Sequence, residues 1–77
     1  MKVPLGIYRH FKGHIYRVIG TAKHSETLEQ HVVYVSTTDP EDLWVRPANM
    51  FLDIVERDGQ KFPRFERLEG SPNDSER

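Results

Sequence analysis

The sequence predicts an all-β fold, a small five- or six-stranded SH3-like barrel with one short helical turn. Three observations predict it. Apolar residues recur with a period of two rather than 3.6, turn signals separate short β-branched and aromatic runs, and the chain has only 77 residues. A chain of that length buries roughly 60% of its unfolded surface. An open sheet so small leaves one face wet and two edges unpaired, and closure solves both problems.

The elements follow in order. A first strand-like run ends at Lys12-Gly13, read as a two-residue loop that sets Phe11 opposite His14 and His10 opposite Ile15. From Ile15 to Ala22 the chain alternates, with Tyr16, Val18, Gly20 and Ala22 on one face and Ile15, Arg17, Ile19 and Thr21 on the other. "HVVYVST", His31 to Thr37, is β-branched and aromatic and reads as a strand. "TTDPED", Thr37 to Asp42, is a turn, because Asp39 can bond nearby backbone while Pro40 presets φ. Pro47 forces the residue before it to be extended, so Pro47-Ala48-Asn49 suits a single helical turn before a strand starting near Met50. Asp58-Gly59 is a strong two-residue hairpin signal. It sets Arg57 opposite Gln60, Glu56 opposite Lys61, Val55 opposite Phe62 and Asp53 opposite Arg64, two of them opposite-charge pairs. The expected core is Tyr16, Val18, Val33, Val35, Trp44, Leu52, Ile54, Phe62 and Phe65. Residues 1–69 form the single domain, and the tail 70–77, without an apolar residue to bury, is expected to be disordered.

Composition excludes some functions. There is no cysteine, so disulfides and thiolate-rich zinc sites are absent. The formal net charge is −1, from 11 basic and 12 acidic residues, which leaves no global basic field for nucleic acid. The start "MKVPLGIYRH" lacks the apolar run of a signal peptide and no stretch is long enough for a membrane span, so a soluble cytoplasmic protein is expected.

The residues that could carry chemistry fall in three places. "TAKHSETLE" sets His24, Ser25, Glu26 and Thr27 in a row. Adjacent residues of a strand point to opposite faces, so His24, Ser25 and Glu26 cannot converge as a nucleophilic triad unless the chain turns sharply. The favoured reading is a turn, with Ser25 or Thr27 bonding backbone amides and Leu28 as anchor, and Thr27 with Gln30 matches a capping box. "RHFKG" supplies Arg9, His10 and Lys12. His10, His14, His24 and His31 lack metal-ligand spacing and are expected to be exposed polar residues, so no cofactor or metal is implied. Arg46 follows Trp44 on the same strand face, with no local acidic partner. It either pairs with Glu26, Glu29 or Asp53 across the barrel or holds an anionic ligand.

The strings "GIYRHFKG", "AKHSETLE", "VVYVS", "WVRPANMF" and "PRFER" together resemble a family of small bacterial proteins, domain of unknown function 1653. The resemblance covers about Leu5 to Leu68, and the family's pattern often has Arg where Lys23 stands. It implies a small β domain and supplies no mechanism.

The favoured function is a non-catalytic binding module for a nucleotide, an oligonucleotide or a peptide, using Arg9, His10, Lys12, His24, Ser25, Glu26 and Arg46. The alternative is an adaptor or homodimer that uses an exposed strand edge to meet a protein partner. A hydrolytic enzyme using His24 is the least favoured.

Overall fold

The structure is a computed structural model and describes residues 3–69. The expected tail 70–77 lies outside the described residues. The chain is all-β with one short helix: β1 (Gly6–His10), β2 (Ile15–Lys23), β3 (Gln30–Ser36), β4 (Leu43–Pro47), α1 (Ala48–Phe51), β5 (Ile54–Arg57), β6 (Gln60–Pro63) and β7 (Phe65–Glu69). Five strands form an antiparallel sheet in the order β4-β3-β2-β1-β7, and β5 pairs with β6 as a separate hairpin. No ladder among the described residues joins the two sheets or pairs β4 with β7, so hydrogen bonding does not close the expected barrel. The expected count of five or six strands becomes seven because Arg64 breaks the last run at a corner. Its N–H donates to the Asp53 carbonyl (3.0 Å) and its carbonyl accepts from Phe11 N–H (2.9 Å), tying the β5–β6 hairpin to the β1–β2 loop.

The β5–β6 register is the one the sequence dictates, with Val55 opposite Phe62 and Glu56 opposite Lys61. Asp58 and Gly59 both have positive φ, 53° and 78°, as a type I′ turn requires. The β1–β2 loop differs by one residue. Arg9 faces Ile15, His10 N–H donates to the His14 carbonyl (2.8 Å), and Phe11-Lys12-Gly13 make a three-residue loop. A two-residue primed turn would need positive φ at Lys12, whereas the longer loop places it at Gly13 alone, φ 106°.

Packing corrects the expected core. Val3, Tyr8, Val18, Val32, Tyr34, Ala48, Phe51 and Phe65 are buried. Of the expected set, Val18 and Phe65 are buried, while Tyr16 is partly buried against them. In β3 the inward residues are Val32 and Tyr34, with Val33 and Val35 on the outer face. The run "HVVYV" is apolar in both phases, so alternation could not select a face. β2 also carries a bulge at Ile19, where Val18 faces Tyr34 but Gly20 faces Val33, and the inward phase changes there. Helix α1 extends to Phe51, one turn beyond the proline, and drops Phe51 into the core at 1% exposure. The next strand therefore starts at Ile54 rather than near Met50, and Leu52 and Ile54 are exposed. Phe51 stacks on Phe65 with ring centroids 4.0 Å apart, and Tyr8 and Tyr34 meet it edge-on. Burying such a ring stabilises the fold by about 1.5–3 kcal/mol. Trp44 faces the same side as Tyr34 but stays 47% exposed, because its edge strand has no neighbour beyond it among the described residues.

Candidate functional site

The pairing registers assemble one concave face. Tyr8 opposes Tyr16, Val18 opposes Tyr34, Tyr34 opposes Trp44, Val32 opposes Arg46, and His10 opposes Phe65. Residues in register share a face, so His10, Tyr16, Tyr34, Trp44, Arg46 and Phe65 all lie on the inner side of the sheet. Their rings form a continuous floor. Tyr16 meets Tyr34 at 5.1 Å, Tyr34 meets Phe65 at 5.4 Å and His10 meets Phe65 at 4.9 Å, each edge-to-face. Such pairs hold better than their buried area alone provides.

Arg46 crosses this floor. Its guanidinium carbon stands 5.8 Å from the centroid of Phe65, and Nε donates a long 3.3 Å hydrogen bond to Tyr34 Oη. The side chain is part-buried, and no carboxylate of the described residues pairs with it. The expected partners are elsewhere. Glu26 and Glu29 are exposed on the β2–β3 loop, and Asp53 is taken by Arg64, whose Nε and Nη2 donate to its two oxygens at 2.7 and 3.3 Å. That bond holds the Asp53 carboxyl below its ordinary range, burial opposes the shift, and the charges of Arg64 and then Arg46 add to it.

His10 is the third polar group of this face. Burial first, then the positive charges of Arg46, Arg64, Lys12 and His14, lower its pKa and favour the neutral ring. Nδ1 accepts from Lys12 N–H at 3.1 Å, which puts the proton of the neutral ring on Nε2. The part-exposed groups at the rim of this face are the Arg46 guanidinium, the His10 imidazole, Tyr16 and the Trp44 ring, while Tyr34 and Phe65 lie buried beneath them. That set suits a phosphate or carboxylate attached to a planar group.

The other sequence candidates lie apart. Arg9 points to the opposite side of the sheet from Tyr8 and pairs with Glu66 at 3.0 Å. Arg9 and His10 both line a shallow hollow of about 260 Å³ with Phe11, Phe62 and Pro63. Lys12 stands at the loop tip with Nζ 5.9 Å from the Phe11 ring. His24 sits at the far end of the β2–β3 hairpin, where Nδ1 accepts from the amides of Glu26 (3.1 Å) and Thr27 (3.3 Å). Its carbonyl accepts from Leu28 N–H and its own N–H donates to the Glu29 carbonyl, both at 2.8 Å. Thr27 Oγ1 accepts from Glu29 N–H instead of capping a helix, and Leu28, expected as an anchor, is exposed at φ 63°. Ser25 and Glu26 are exposed, and no hydrogen bond among the described residues links either side chain to the His24 ring. The structure therefore brings His10 near Arg46 on the inner face and near Arg9 at the hollow, and leaves Lys12, His24, Ser25 and Glu26 away from both.

The residues that complete the face are Tyr16, Tyr34, Phe65 and the Arg64–Asp53 pair. Their signal was in the sequence, in the Asp53-to-Arg64 register and in the shared parity of Trp44 and Arg46, but curvature alone brings β7 beneath Arg46. No group of three or more metal-ligating side chains is found among the described residues. No helix among them is long and apolar enough to cross a membrane.

These features define a small, strongly curled β domain with an aromatic, cationic inner face. Residues 6–67 match the model of the family described as protein of unknown function DUF1653, and the chain belongs to that family. It is similar to the crystal structure of a DUF1653 protein from Bordetella bronchiseptica, with a TM-score of 0.79 and 28% identity over 91% of this chain and 92% of that one. No curated protein matches the chain.

Proposed function

We propose that this domain is a non-catalytic binding module whose concave face takes a small anionic ligand bearing a planar group, of the nucleotide class. The observation that carries the reading is Arg46, part-buried over Phe65 with a tyrosine hydroxyl as its bonded partner and no carboxylate of the described residues paired to it. Partial burial of a cation costs solvation that a carboxylate usually offsets, and an anionic ligand fills that place. A guanidinium binds phosphate oxygens bidentately, His10 Nε2–H adds a donor, and the exposed ring of Trp44 offers a stacking surface. A net charge of −1 and the lack of a basic stripe favour a mononucleotide over a long nucleic acid. The curled sheet, bridged between β4 and β7 by Arg46 on Phe65, is read as an opened SH3-like barrel.

The test is a titration with nucleoside monophosphates, followed by the fluorescence of Trp44, the one tryptophan. Saturable quenching is expected, with affinity at least about tenfold weaker in Arg46→Ala and unchanged in the outer-face control Arg17→Ala. A single phosphate contact gives a salt slope of about −1 or less in magnitude, whereas an oligonucleotide contact gives a steeper one. Equal binding by Arg46→Ala removes this reading.

A further inference from the structure

The edge of β4, unpaired among the described residues, has a parity that limits how a further strand can add to it. Ser36 N–H donates to the Asp42 carbonyl at 3.0 Å, and the β3–β4 register continues with Tyr34 opposite Trp44 and Val32 opposite Arg46. In an antiparallel ladder, alternate residues exchange both backbone bonds with the neighbour. Trp44 and Arg46 therefore direct N–H and C=O towards β3, as Asp42 does with its carbonyl while its N–H donates to the Asp39 carbonyl at 3.0 Å, and Leu43, Val45 and Pro47 direct theirs away from the sheet. Among the described residues β4 is a sheet edge, so those outward groups meet no further strand of them. The same edge exposes three consecutive apolar side chains, Leu43 at 58%, Trp44 at 47% and Val45 at 62%. An exposed, apolar, hydrogen-bond-ready edge is a template for another strand.

We infer that β4 pairs antiparallel with β4 of a second copy of this chain about a two-fold axis through Val45. A two-fold axis can fall at any residue of β4, at Leu43, Val45 or Pro47 through a hydrogen-bonded pair and at Trp44 or Arg46 through a non-hydrogen-bonded one. An axis at Trp44 sets each Pro47 carbonyl against the partner's Glu41, whose N–H already donates to its own Asp39 Oδ1, and an axis at Arg46 sets Leu43 against Asn49 of α1. An axis at Pro47 has no donor at its centre. An axis at Leu43 sets the Asp39-Pro40 turn against the partner's Arg46 and Pro47, where the chain leaves the strand. An axis at Val45 pairs the whole of Leu43–Pro47. Val45 and the partner's Val45 exchange two N–H···O=C bonds, and each Leu43 N–H reaches the carbonyl of the partner's Pro47. Pro47, which lacks an N–H, then serves as acceptor, and the edge loses only the bond that it would have donated.

The side chains are self-complementary in this register. Trp44 comes opposite the partner's Arg46 and Arg46 opposite the partner's Trp44, two cation–aromatic pairs in the closer, non-hydrogen-bonded positions. No like charges face each other. On the outer side, Val45 meets the partner's Val45 and extends the apolar strip made by Val33 and Val35 across the joint. Such an isologous contact closes on itself and stops at a dimer.

The experiment uses the full chain and does not depend on the nucleotide reading. Sedimentation velocity across the micromolar range is expected to show a concentration-dependent dimer. Val45→Pro removes the outward N–H without touching the β3 ladder, and Val45→Lys places a charge at the axis; both are expected to be monomeric with an unchanged circular dichroism spectrum. The chain has no native cysteine, so Val45→Cys supplies one thiol per copy. Residues opposed in a hydrogen-bonded pair have Cα atoms about 5.5 Å apart, within disulfide reach, so Val45→Cys is expected to oxidise to a covalent dimer much faster than the outer-face Ile19→Cys. A monomer at every concentration overturns the proposal. So does a folded Val45→Lys that still dimerises, or a Val45→Cys that links no faster than Ile19→Cys.

Discussion

Arg46 lies over Phe65 with its guanidinium carbon 5.8 Å from the ring centroid, and the contact spans from β4 to β7, the two outer strands of one sheet. No backbone ladder joins those strands among the described residues. The side-chain contact is therefore both a structural bridge and the cationic centre of the concave face.

Arg46 and His10 are electrostatically coupled, and removing one is expected to show in the other. Burial and then Arg46 lead the forces that hold His10 below its ordinary 6.5. In Arg46→Ala the His10 pKa rises towards that value, as read from its imidazole proton shifts across a pH titration. The linkage sign follows from the depressed value. The folded state takes up less proton than the unfolded chain, so the contribution of His10 to stability is present above pH 6.5 and is lost as pH falls through the folded pKa. An unmoved His10 titration in Arg46→Ala would mean that the two groups do not share a site.

Phe51 is the centre of the core, and its loss should be severe. Phe51→Ala removes the ring stacked on Phe65 and leaves a cavity, at a cost of about 3–5 kcal/mol. A domain of this size has a total stability of about 4–12 kcal/mol, so the variant is expected to lose much of its unfolding amplitude at 37 °C. Denaturant melts of Phe51→Ala and of exposed Leu52→Ala make the comparison, with Leu52→Ala close to wild type.

Asp53 should give the fold an acid-sensitive corner. The hydrogen bond from Arg64 holds its carboxyl below the ordinary 3.8. A depressed carboxylate contributes stability that is complete above the unfolded pKa and is lost as pH falls through the folded one. Wild type is therefore expected to lose part of its urea midpoint below pH 3.8, and Asp53→Asn to start lower at neutral pH and change less over that window. Parallel slopes for the two proteins would contradict the pairing.

His24 should matter for folding and not for the concave face. Its Nδ1 accepts two loop amides, so His24→Ala is expected to cost about 0.5–1.5 kcal/mol in a denaturant melt. Nucleotide titration of the same variant should match wild type. Weakened binding without lost stability would instead place His24 in the ligand site.

The legibility of these features in the sequence was uneven, for physical reasons. Asp58-Gly59 admits one tight geometry, so the β5–β6 register and the Asp53–Arg64 pair could be written down directly. Lys12-Gly13 admitted two loop lengths, and choosing between them required knowing that only Gly13 takes positive φ. The run of Val32 to Val35 carries apolar residues in both phases, so its inward face was set by the Ile19 bulge and by the packing of Phe51, both tertiary facts. Arg46 was visible as a cation without a local partner. The ring beneath it belongs to β7, 19 residues later in the chain, and only the curvature of the sheet brings them together.

The most direct test of the binding reading is a ¹H–¹⁵N and aromatic NMR titration of the protein with a nucleoside monophosphate. The expected result is a saturable set of shifts at His10, Tyr16, Tyr34, Trp44, Arg46 and Phe65, with the His10 pKa moved upward by the bound phosphate. Shifts absent at millimolar nucleotide, or concentrated at the His24 loop or the Arg9–Glu66 pair, would contradict it.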